Sequence, residues 1–244
     1  MSEPQEFEYS GSELETFALA KNWRKYWMDM VRGFLGAEIL EVGAGIGTMT
    51  ASLRKPEMQW VALEPDKKMF KDLEAQFQSL DSGVEMFCET LSEYSGVRRF
   101  DSVLYFDVLE HIERDAQEVE LACSKLNPNG YLIILVPAHQ SLFSPFDRQI
   151  GHFRRYNRDS LSALKPAYMN QVLSRYLDSG GYFLSWANSK FLEQSAPTSS
   201  QIRFWDSIVI PISRFVDRLL GFRFGKSLLV VWQTSPGGVP KELS

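Results

Sequence analysis

The chain is poor in cysteine. Cys88 and Cys123 are its two cysteines among 244 residues, too few for a disulfide framework and without the spacing of a metal-binding cluster. Both lie among apolar residues, so we expect buried free thiols. No zinc-ligand set or iron–sulfur cysteine pattern is visible, and the sequence therefore predicts no metal site and disfavours metal-assisted or radical chemistry.

Positive charge and long apolar runs are also scarce. The 26 Lys and Arg residues are outnumbered by 31 Asp and Glu, giving a net charge of -5. Nucleic acid is therefore not expected as a partner, because phosphate backbones favour broad basic faces. No apolar run reaches the roughly 18 residues that a membrane span needs. Residues 1–6 lack the basic and apolar regions of a signal peptide, so we expect a cytoplasmic protein without a transmembrane segment.

What the chain does have is an alternation of strand-like apolar runs and helix-like segments. With 44% hydrophobic residues, its length suffices for one large α/β domain. The alternation predicts a parallel sheet with helices on both faces. The predicted strands are 38–42, 60–63, 84–87, 102–106 and 131–136, and the predicted helices between them cover about 46–54, 66–80 and 110–126.

The second half of the chain is less regular. Asn127-Pro128-Asn129-Gly130 predicts a sharp turn before a strand. A helix is predicted over about 159–177, broken or kinked at Pro166, and a strand over 182–186.

Apolar residues at helical spacing predict one or two helices within 12–34 and another over about 204–220. The apolar face of the latter could pack on the sheet, bind a second subunit or rest on a lipid surface. A short apolar strand is predicted at 227–232.

The most informative stretch runs from Ile39 to Gly47, where an apolar run ends in glycines at 43, 45 and 47. Glycine lets a chain leave a strand through a tight turn, and its missing Cβ lets a ligand lie against bare backbone. We therefore expect a nucleotide-like cofactor here, with a purely structural turn as the alternative. The nicotinamide and flavin fingerprint Gly-x-Gly-x-x-Gly/Ala is not met, because Thr48 occupies its sixth position.

Glu64 ends the second predicted strand about twenty residues beyond the glycines, where a carboxylate can accept both hydroxyls of a ribose. With Pro65 and Asp66 it could instead cap the next helix.

The form Glu-x-Gly-x-Gly-x-Gly, which begins at Glu41, resembles the first motif of the class I S-adenosylmethionine-dependent methyltransferases. Residues 100–112, with Leu-Glu-His at 109–111, resemble the fourth strand and following turn of those enzymes, and 126–130 resemble the turn before their fifth strand. The resemblance spans about residues 37–137. It implies a Rossmann-like, doubly wound, mostly parallel seven-stranded sheet and S-adenosyl-L-methionine as cofactor.

Carried over residue by residue, the resemblance implies cofactor contacts at the ends of the first four strands. The set is Glu41 near the amino acid end of the cofactor, Gly43, Ala44, Gly45 and Gly47 as the backbone cradle, Glu64 with Pro65 at the ribose, Glu89, Thr90 and Leu91 at the adenine, and Asp107 with Val108 beneath the methionine portion.

Class I methyltransferases build their acceptor pocket from the N-terminal segment and the region after strand four or five. The loop 138–157 contains a Gly-His-x-Arg-Arg-Tyr core that resembles a subgroup of bacterial methyltransferases. The substrate contacts implied are Trp23, Tyr26, Asp147, Arg148, Arg154, Arg155 and Tyr156. Arginine suits an anionic acceptor such as a sugar acid, or these arginines pair with local acids and hold the loop shut.

Methylation of a hydroxyl or amine requires removal of a proton, and histidine is the usual base near neutral pH. His139 and His152 are the candidates among the three histidines, whereas His111 is expected to be structural or a pocket wall.

We therefore expect a methyltransferase that acts at an oxygen or nitrogen of a small acceptor, anionic or resembling a sugar or secondary metabolite, and that is a monomer or homodimer. The alternatives are a methyltransferase fold that binds cofactor or partner without turnover and a nicotinamide-dependent oxidoreductase. The predicted domains are an N-terminal helical cap over the active site at 1–36 and the methyltransferase domain at 37–244, with a helical insertion at about 190–225.

Overall fold

Seven strands form one sheet in the order β3-β2-β1-β4-β5-β7-β6. The computed structural model describes residues 19–78, 83–191 and 198–237. Strand β7 is antiparallel to both of its neighbours, and the other strand pairs are parallel. The strands are β1 (Glu38–Val42), β2 (Gln59–Leu63), β3 (Val84–Phe87), β4 (Phe100–Phe106), β5 (Leu126–Pro137), β6 (Met169–Leu177) and β7 (Ser227–Thr234). The predicted mostly parallel seven-stranded sheet is confirmed.

Helices cover both faces of this sheet. They are α1 (Lys21–Val31), α2 (Thr48–Leu53), α3 (Lys67–Phe77), α4 (Asp115–Ser124), α5 (Pro145–Gln149), α6 (Arg158–Ser162), α7 (Ser179–Phe191), α8 (Ser199–Phe204) and α9 (Ile210–Leu219). A π-helical turn, Trp205–Val209, joins α8 to α9, and a 3-10 turn, Leu109–His111, follows β4. Among the described residues, no helix is long and apolar enough to cross a membrane.

The core has two layers because successive residues of a strand point to opposite faces. Leu40 and Val42 of β1 pack with Val119 and Ala122 of α4 on one face. Ile39 lies on the other face, in a cluster whose helical members include Trp27 and Val31 of α1, Leu53 of α2, Leu73 and Phe77 of α3, and Ile210 of α9.

The described part of the predicted N-terminal cap, from residue 19 onward, belongs to this second layer. The ring of Trp27 lies 4.5 Å from that of Phe106, at the end of β4. Asp206, in the π-helical turn, accepts hydrogen bonds from the backbone N–H groups of Asn22 and Trp23. Since Ala20 at the N-cap has no capping side chain, Asp206 caps α1 from 184 residues away.

Several predicted elements were wrong. The stretch predicted as a helix over 159–177 forms only the short α6 and then strand β6. Because β6 is an edge strand and pairs only with β7, several of its residues stay exposed, and it lacks the apolar run of a central strand. The strand predicted at 182–186 lies inside α7.

Two smaller expectations also differ. The residues Asn127–Gly130 lie within β5 rather than in a turn before it. Asn129 nevertheless has a positive φ of 61°, as is typical of a tight turn. Cys88 is exposed, whereas Cys123 is buried as expected.

Candidate active site

The glycine turn follows β1 and lies between the ends of β2 and β4. Its three glycines all have positive φ: 70° at Gly43, 57° at Gly45 and 82° at Gly47. A Cβ at position 43 would lie 2.5 Å from Val108 Cγ2, so the turn packs directly against the residues after β4. A Cβ at position 45 would meet nothing within 4 Å. The backbone at Gly45 therefore faces open space, as a ligand cradle requires.

Glu64 reaches this turn from the end of β2. Its Oε2 accepts a hydrogen bond of 2.7 Å from the N–H of Gly45, and its Oε1 accepts one of 2.9 Å from the N–H of Asp66. Burial raises the pKa of Glu64, and these two hydrogen bonds oppose the rise. Asp66 caps α3 by accepting hydrogen bonds from two N–H groups at its start. The Glu64 carboxylate is therefore not the helix cap and instead binds the backbone of the glycine turn.

Glu41 has different surroundings. Only 2% of it is exposed, and its Oε2 accepts hydrogen bonds from Thr50 Oγ1 and Trp60 Nε1. These contacts tie β1 to α2 and β2. The Glu41 carboxyl thus has a packing role in the structure, and its role near the amino acid end of the cofactor stays a prediction.

The other residues expected at the cofactor lie at the same edge of the sheet. Parallel β3, β2, β1 and β4 end side by side, which brings Glu89, Thr90, Asp107 and Val108 to the edge that holds the glycine turn. Thr90 is hydrogen-bonded to Glu93 through both its N–H and its Oγ1. Leu91 is buried in the core.

Asp107 is the first residue after β4 and has a positive φ of 54°. Its N–H donates to the carbonyl of Leu135 on β5. Although the residue is exposed, neighbouring protein atoms partly desolvate its carboxyl. This desolvation raises its pKa, and the positive charge of His152 and Lys226 opposes the rise.

A buried polar cluster lies beside Asp107. Glu110 and His111 come from the 3-10 turn after β4, and His152 comes from the loop after β5. His152 Nδ1 lies 3.0 Å from Asp147 Oδ1, and a bidentate pair of hydrogen bonds, 2.7 and 2.9 Å, joins Arg155 to the same Asp147 carboxylate.

The titration of this cluster reflects its burial. Desolvation and the nearby Asp107 raise the pKa of Glu110 well above its usual value. Burial and the neighbouring His152 lower the pKa of His111 to about 4. Burial works against ionisation of Asp147 as well, but hydrogen bonds from His152, Arg155 and Ser144 hold its pKa well below the usual range.

His139 lies apart from this cluster. Its ring stacks on Tyr176 with centroids 4.8 Å apart and meets the edge of Tyr182. Its Nε2 is buried without a hydrogen-bond partner among the described residues. The two histidines expected as bases thus occupy different surroundings, and only His152 shares its site with other titratable groups of the β4 turn.

The arginines mainly hold the loop together. Arg154 pairs with Asp115 and donates to the carbonyl of Glu113. Arg158 donates to the carbonyl of Phe222 and lies over the ring of Tyr176. Arg148 is exposed near Phe143. Of the two interpretations, binding of an anionic acceptor and pairing with local groups, the second describes the contacts of Arg154, Arg155 and Arg158 better.

Three aromatic residues expected at the substrate are part of the core. Tyr26 is 1% exposed and donates to Asp217 Oδ2. Trp23 packs against Trp205. Tyr156 is 2% exposed and donates to Asp115 Oδ2. These contacts place the three side chains in the protein interior, and their role at the acceptor stays a prediction.

Lys226 was missed by the sequence analysis. It precedes antiparallel β7, which begins where β5 ends, since Ser227 pairs with Pro137. Lys226 therefore lies at the same edge as Asp107. Burial lowers the pKa of Lys226, and Asp178, Asp147 and Asp107 oppose the change. Without knowledge of the strand order, a single lysine before an apolar strand gives no signal.

Comparison with known proteins identifies the fold. The family model of a methyltransferase domain matches residues 18–184. A ubiquinone biosynthesis O-methyltransferase of Bradyrhizobium diazoefficiens is 23% identical over 99 residues, which make up 41% of this chain and 39% of that relative. The matched region thus spans well under half of the curated relative.

Two solved structures are similar over most of their length. The N-methyltransferase NodS from Bradyrhizobium japonicum, in complex with S-adenosyl-L-homocysteine, has a TM-score of 0.55 at 12% identity, covering 86% of this chain and 84% of that one. Coclaurine N-methyltransferase, bound to N-methylheliamine and S-adenosyl-L-homocysteine, has a TM-score of 0.60 at 12% identity, covering 94% and 76%. At these identities the structures show a shared fold. With the family match over residues 18–184, the chain belongs to the methyltransferase domain family.

Proposed function

We propose that this chain is a class I S-adenosylmethionine-dependent methyltransferase that methylates an oxygen or nitrogen atom of a small acceptor carrying a negative charge. Membership of the methyltransferase domain family supports this function over the nicotinamide-dependent alternative. Bound S-adenosylmethionine supplies a methyl group activated by its sulfonium charge, so the protein has mainly to position the acceptor and promote the loss of its proton.

The cofactor contacts we propose are those of the glycine turn, the residues after β2 and β3, and Asp107 with Val108. The open backbone of Gly45 and the Glu64 carboxylate beside it support this assignment most directly. Each Glu64 oxygen accepts one backbone N–H and retains capacity to accept a ribose hydroxyl.

The acceptor site we propose lies at the ends of β4 and β5 and the start of β7. The observation that carries it is the convergence of Asp107, Glu110, His111 and His152 beside the proposed methionine site. Oxygen and nitrogen acceptors must lose a proton, and this is the titratable cluster adjacent to that site. His139, stacked on Tyr176 and edge-on to Tyr182, is better suited to a pocket wall.

Positive charge near this cluster supports an anionic acceptor. Arg155 keeps one buried guanidinium nitrogen, Nη1, without a hydrogen-bond partner among the described residues. The Lys226 ammonium lies over the ring of Trp205, 5.3 Å from its centroid, and adds positive charge to the edge that holds Asp107.

A methyl-transfer assay with labelled S-adenosylmethionine tests the proposal. Small hydroxy and amino carboxylates are each compared with a neutral amide analogue. We expect label in the anionic members, and a rise of about tenfold or more in their KM in Lys226→Met, because contacts to charged groups contribute about 1.5–3 kcal/mol. The exposed Lys55→Met serves as the matched control. Label found only in neutral acceptors, or equal KM values in the two variants, would count against an anionic acceptor.

A further inference from the structure

The cluster after β4 has the composition of a metal-binding site. Glu110, His111 and His152 each offer one ligand atom, and these three atoms lie within 4.8 Å of one another. Nitrogen and oxygen ligands bound at about 2.0–2.2 Å to one ion in tetrahedral geometry are separated by about 3.4 Å. Side-chain movements on the order of 1 Å would therefore bring the three atoms into one coordination sphere.

Glu110 gives independent evidence for a bound cation. The residue is 0% exposed, and among the described residues neither of its carboxyl oxygens has a hydrogen-bond partner. A buried carboxylate without a partner is strongly destabilising unless a cation neutralises it. Protonation would remove the charge but would leave a buried O–H donor and an acceptor unsatisfied.

The orientation of His152 suits a metal ligand. Its Nδ1 lies 3.0 Å from Asp147 Oδ1, and its Nε2 points toward Glu110, 3.8 Å from Oε1. That gap is too long for a hydrogen bond. With Nδ1–H donated to Asp147, the lone pair of Nε2 faces Glu110. Histidines that bind metals commonly donate their other ring N–H to a carboxylate in this way.

The supporting groups fix this arrangement. Arg155 holds both oxygens of Asp147, and Ser144 donates to Oδ2 through its N–H and Oγ. The His111 ring lies edge-on to that of His152, with centroids 4.5 Å apart, and its hydrogen bond to the backbone of Gly151 fixes the ring orientation.

We propose that Glu110, His111 and His152 bind a divalent transition-metal ion such as Mn²⁺, Fe²⁺ or Zn²⁺. Two imidazoles with one carboxylate favour these ions over Mg²⁺ or Ca²⁺, which prefer oxygen ligands alone. Three protein ligands leave coordination positions open, as in catalytic rather than structural sites. No metal site was predicted from the sequence, because His152 follows His111 by about forty positions and lies beside it only through the packing of two loops.

The metal explains how the acceptor loses its proton, an inference that rests on the proposed function. A hydroxyl that coordinates a divalent ion ionises closer to neutral pH, and its proton leaves to solvent. The acceptor oxygen then forms its bond to the methyl carbon as the carbon–sulfur bond breaks. The electron pair of that bond stays on sulfur, giving S-adenosylhomocysteine.

Metal binding can be measured without turnover. The full-length protein is stripped with a chelator and titrated by calorimetry with Mn²⁺ and Zn²⁺, with Mg²⁺ and Ca²⁺ as comparisons. We expect one equivalent of Mn²⁺ or Zn²⁺, weaker binding of the other two ions, and at least a tenfold loss of affinity in Glu110→Gln and His152→Ala. Asp147→Asn should lose about 10–100-fold, as removal of a carboxylate behind a ligating histidine does.

His139→Gln is the matched control, because it removes the one histidine outside the cluster. It should retain full metal affinity. The affinity of every variant for S-adenosylhomocysteine is measured alongside and should remain that of the wild type, which separates metal loss from misfolding. Wild-type protein that binds none of these ions, or variants that bind them as the wild type does, would overturn the site.

The role in catalysis has a separate readout. We expect methyl transfer by stripped protein to return on addition of Mn²⁺ or Zn²⁺, and equal activity in stripped and loaded protein would overturn that role. If protein that binds metal shows no methyl transfer, the proposed function is contradicted and the metal site is not.

Discussion

Gly45 and Gly221 share a left-handed backbone, with φ of 57° and 59°, and a Cβ at either position would meet nothing within 4 Å. They differ in location, since Gly45 faces the proposed cofactor and Gly221 follows α9. We expect Gly45→Ala and Gly221→Ala to lose a similar free energy of unfolding, about 1–2 kcal/mol. Only Gly45→Ala should bind S-adenosylhomocysteine more weakly, by tenfold or more.

Urea unfolding and titration calorimetry on the two variants make this comparison. The cradle assignment would be wrong if both variants bound S-adenosylhomocysteine as tightly as the wild type, or if both lost the same affinity.

The buried carboxyl of Glu41 should make the free energy of unfolding depend on pH. Burial raises the pKa of its carboxyl to about 7, against opposing hydrogen bonds from Thr50 and Trp60. In the unfolded chain the pKa of a glutamate side chain is about 4.3. The folded state therefore holds the proton more tightly. The resulting stabilisation is fully present below about pH 4 and is lost as pH rises through about 7.

Glu41→Gln removes this titration and keeps an oxygen that can accept from both Thr50 and Trp60. We expect the free energy of unfolding of the wild type, relative to the variant, to fall by up to about 3 kcal/mol between pH 4.5 and 7.5. Urea unfolding at four pH values measures the difference. A difference that stays constant with pH would refute the assignment.

At the scale of elements, the capping of α1 by Asp206 ties the N-terminal helix to the late insertion. Asp206 is 6% exposed, and Asp206→Ala should lower the free energy of unfolding by about 1–2 kcal/mol, as for removal of a helix cap. Asp29→Ala is the matched control. Asp29 also joins α1 to α9, through Arg214 at 3.2 Å, but that pair is partly exposed and should contribute less than about 1 kcal/mol.

Urea denaturation of both variants tests this difference. Equal losses would mean that Asp206 acts as an ordinary surface charge and not as the cap of α1.

The elements that could be predicted from sequence are those whose signal is local. All five central strands were found, since burial on both faces makes them continuous apolar runs. The edge strand β6 was predicted as a helix because it is partly exposed. The stretch 182–186 inside α7 was predicted as a strand. The local cap of this helix, from Asp178 to the N–H of Gly181, was overlooked, and the contact of Ser213 with the N–H of Gly180 is tertiary, so the sequence does not display it.

For the whole molecule, strand order decides which residues meet. The order β3-β2-β1-β4-β5-β7-β6 brings the glycine turn, Glu64 and Asp107 to one edge, as the motifs predicted. The same order adds Lys226 through antiparallel β7, and it brings His152 to Glu110. These contacts depend on the packing of segments far apart in the chain, so the spacing of residues in the sequence could not reveal them.

The central claim is that the edge formed by β1, β2 and β4 holds a methyl donor. Titration calorimetry of S-adenosylhomocysteine into wild type, Glu64→Ala and the exposed Glu57→Ala tests it most directly. We predict one site in the wild type, an unchanged affinity in Glu57→Ala, and at least a tenfold loss in Glu64→Ala, because hydrogen bonds to a charged carboxylate contribute about 1.5–3 kcal/mol. No binding to the wild type, or equal affinity in all three proteins, would contradict the account.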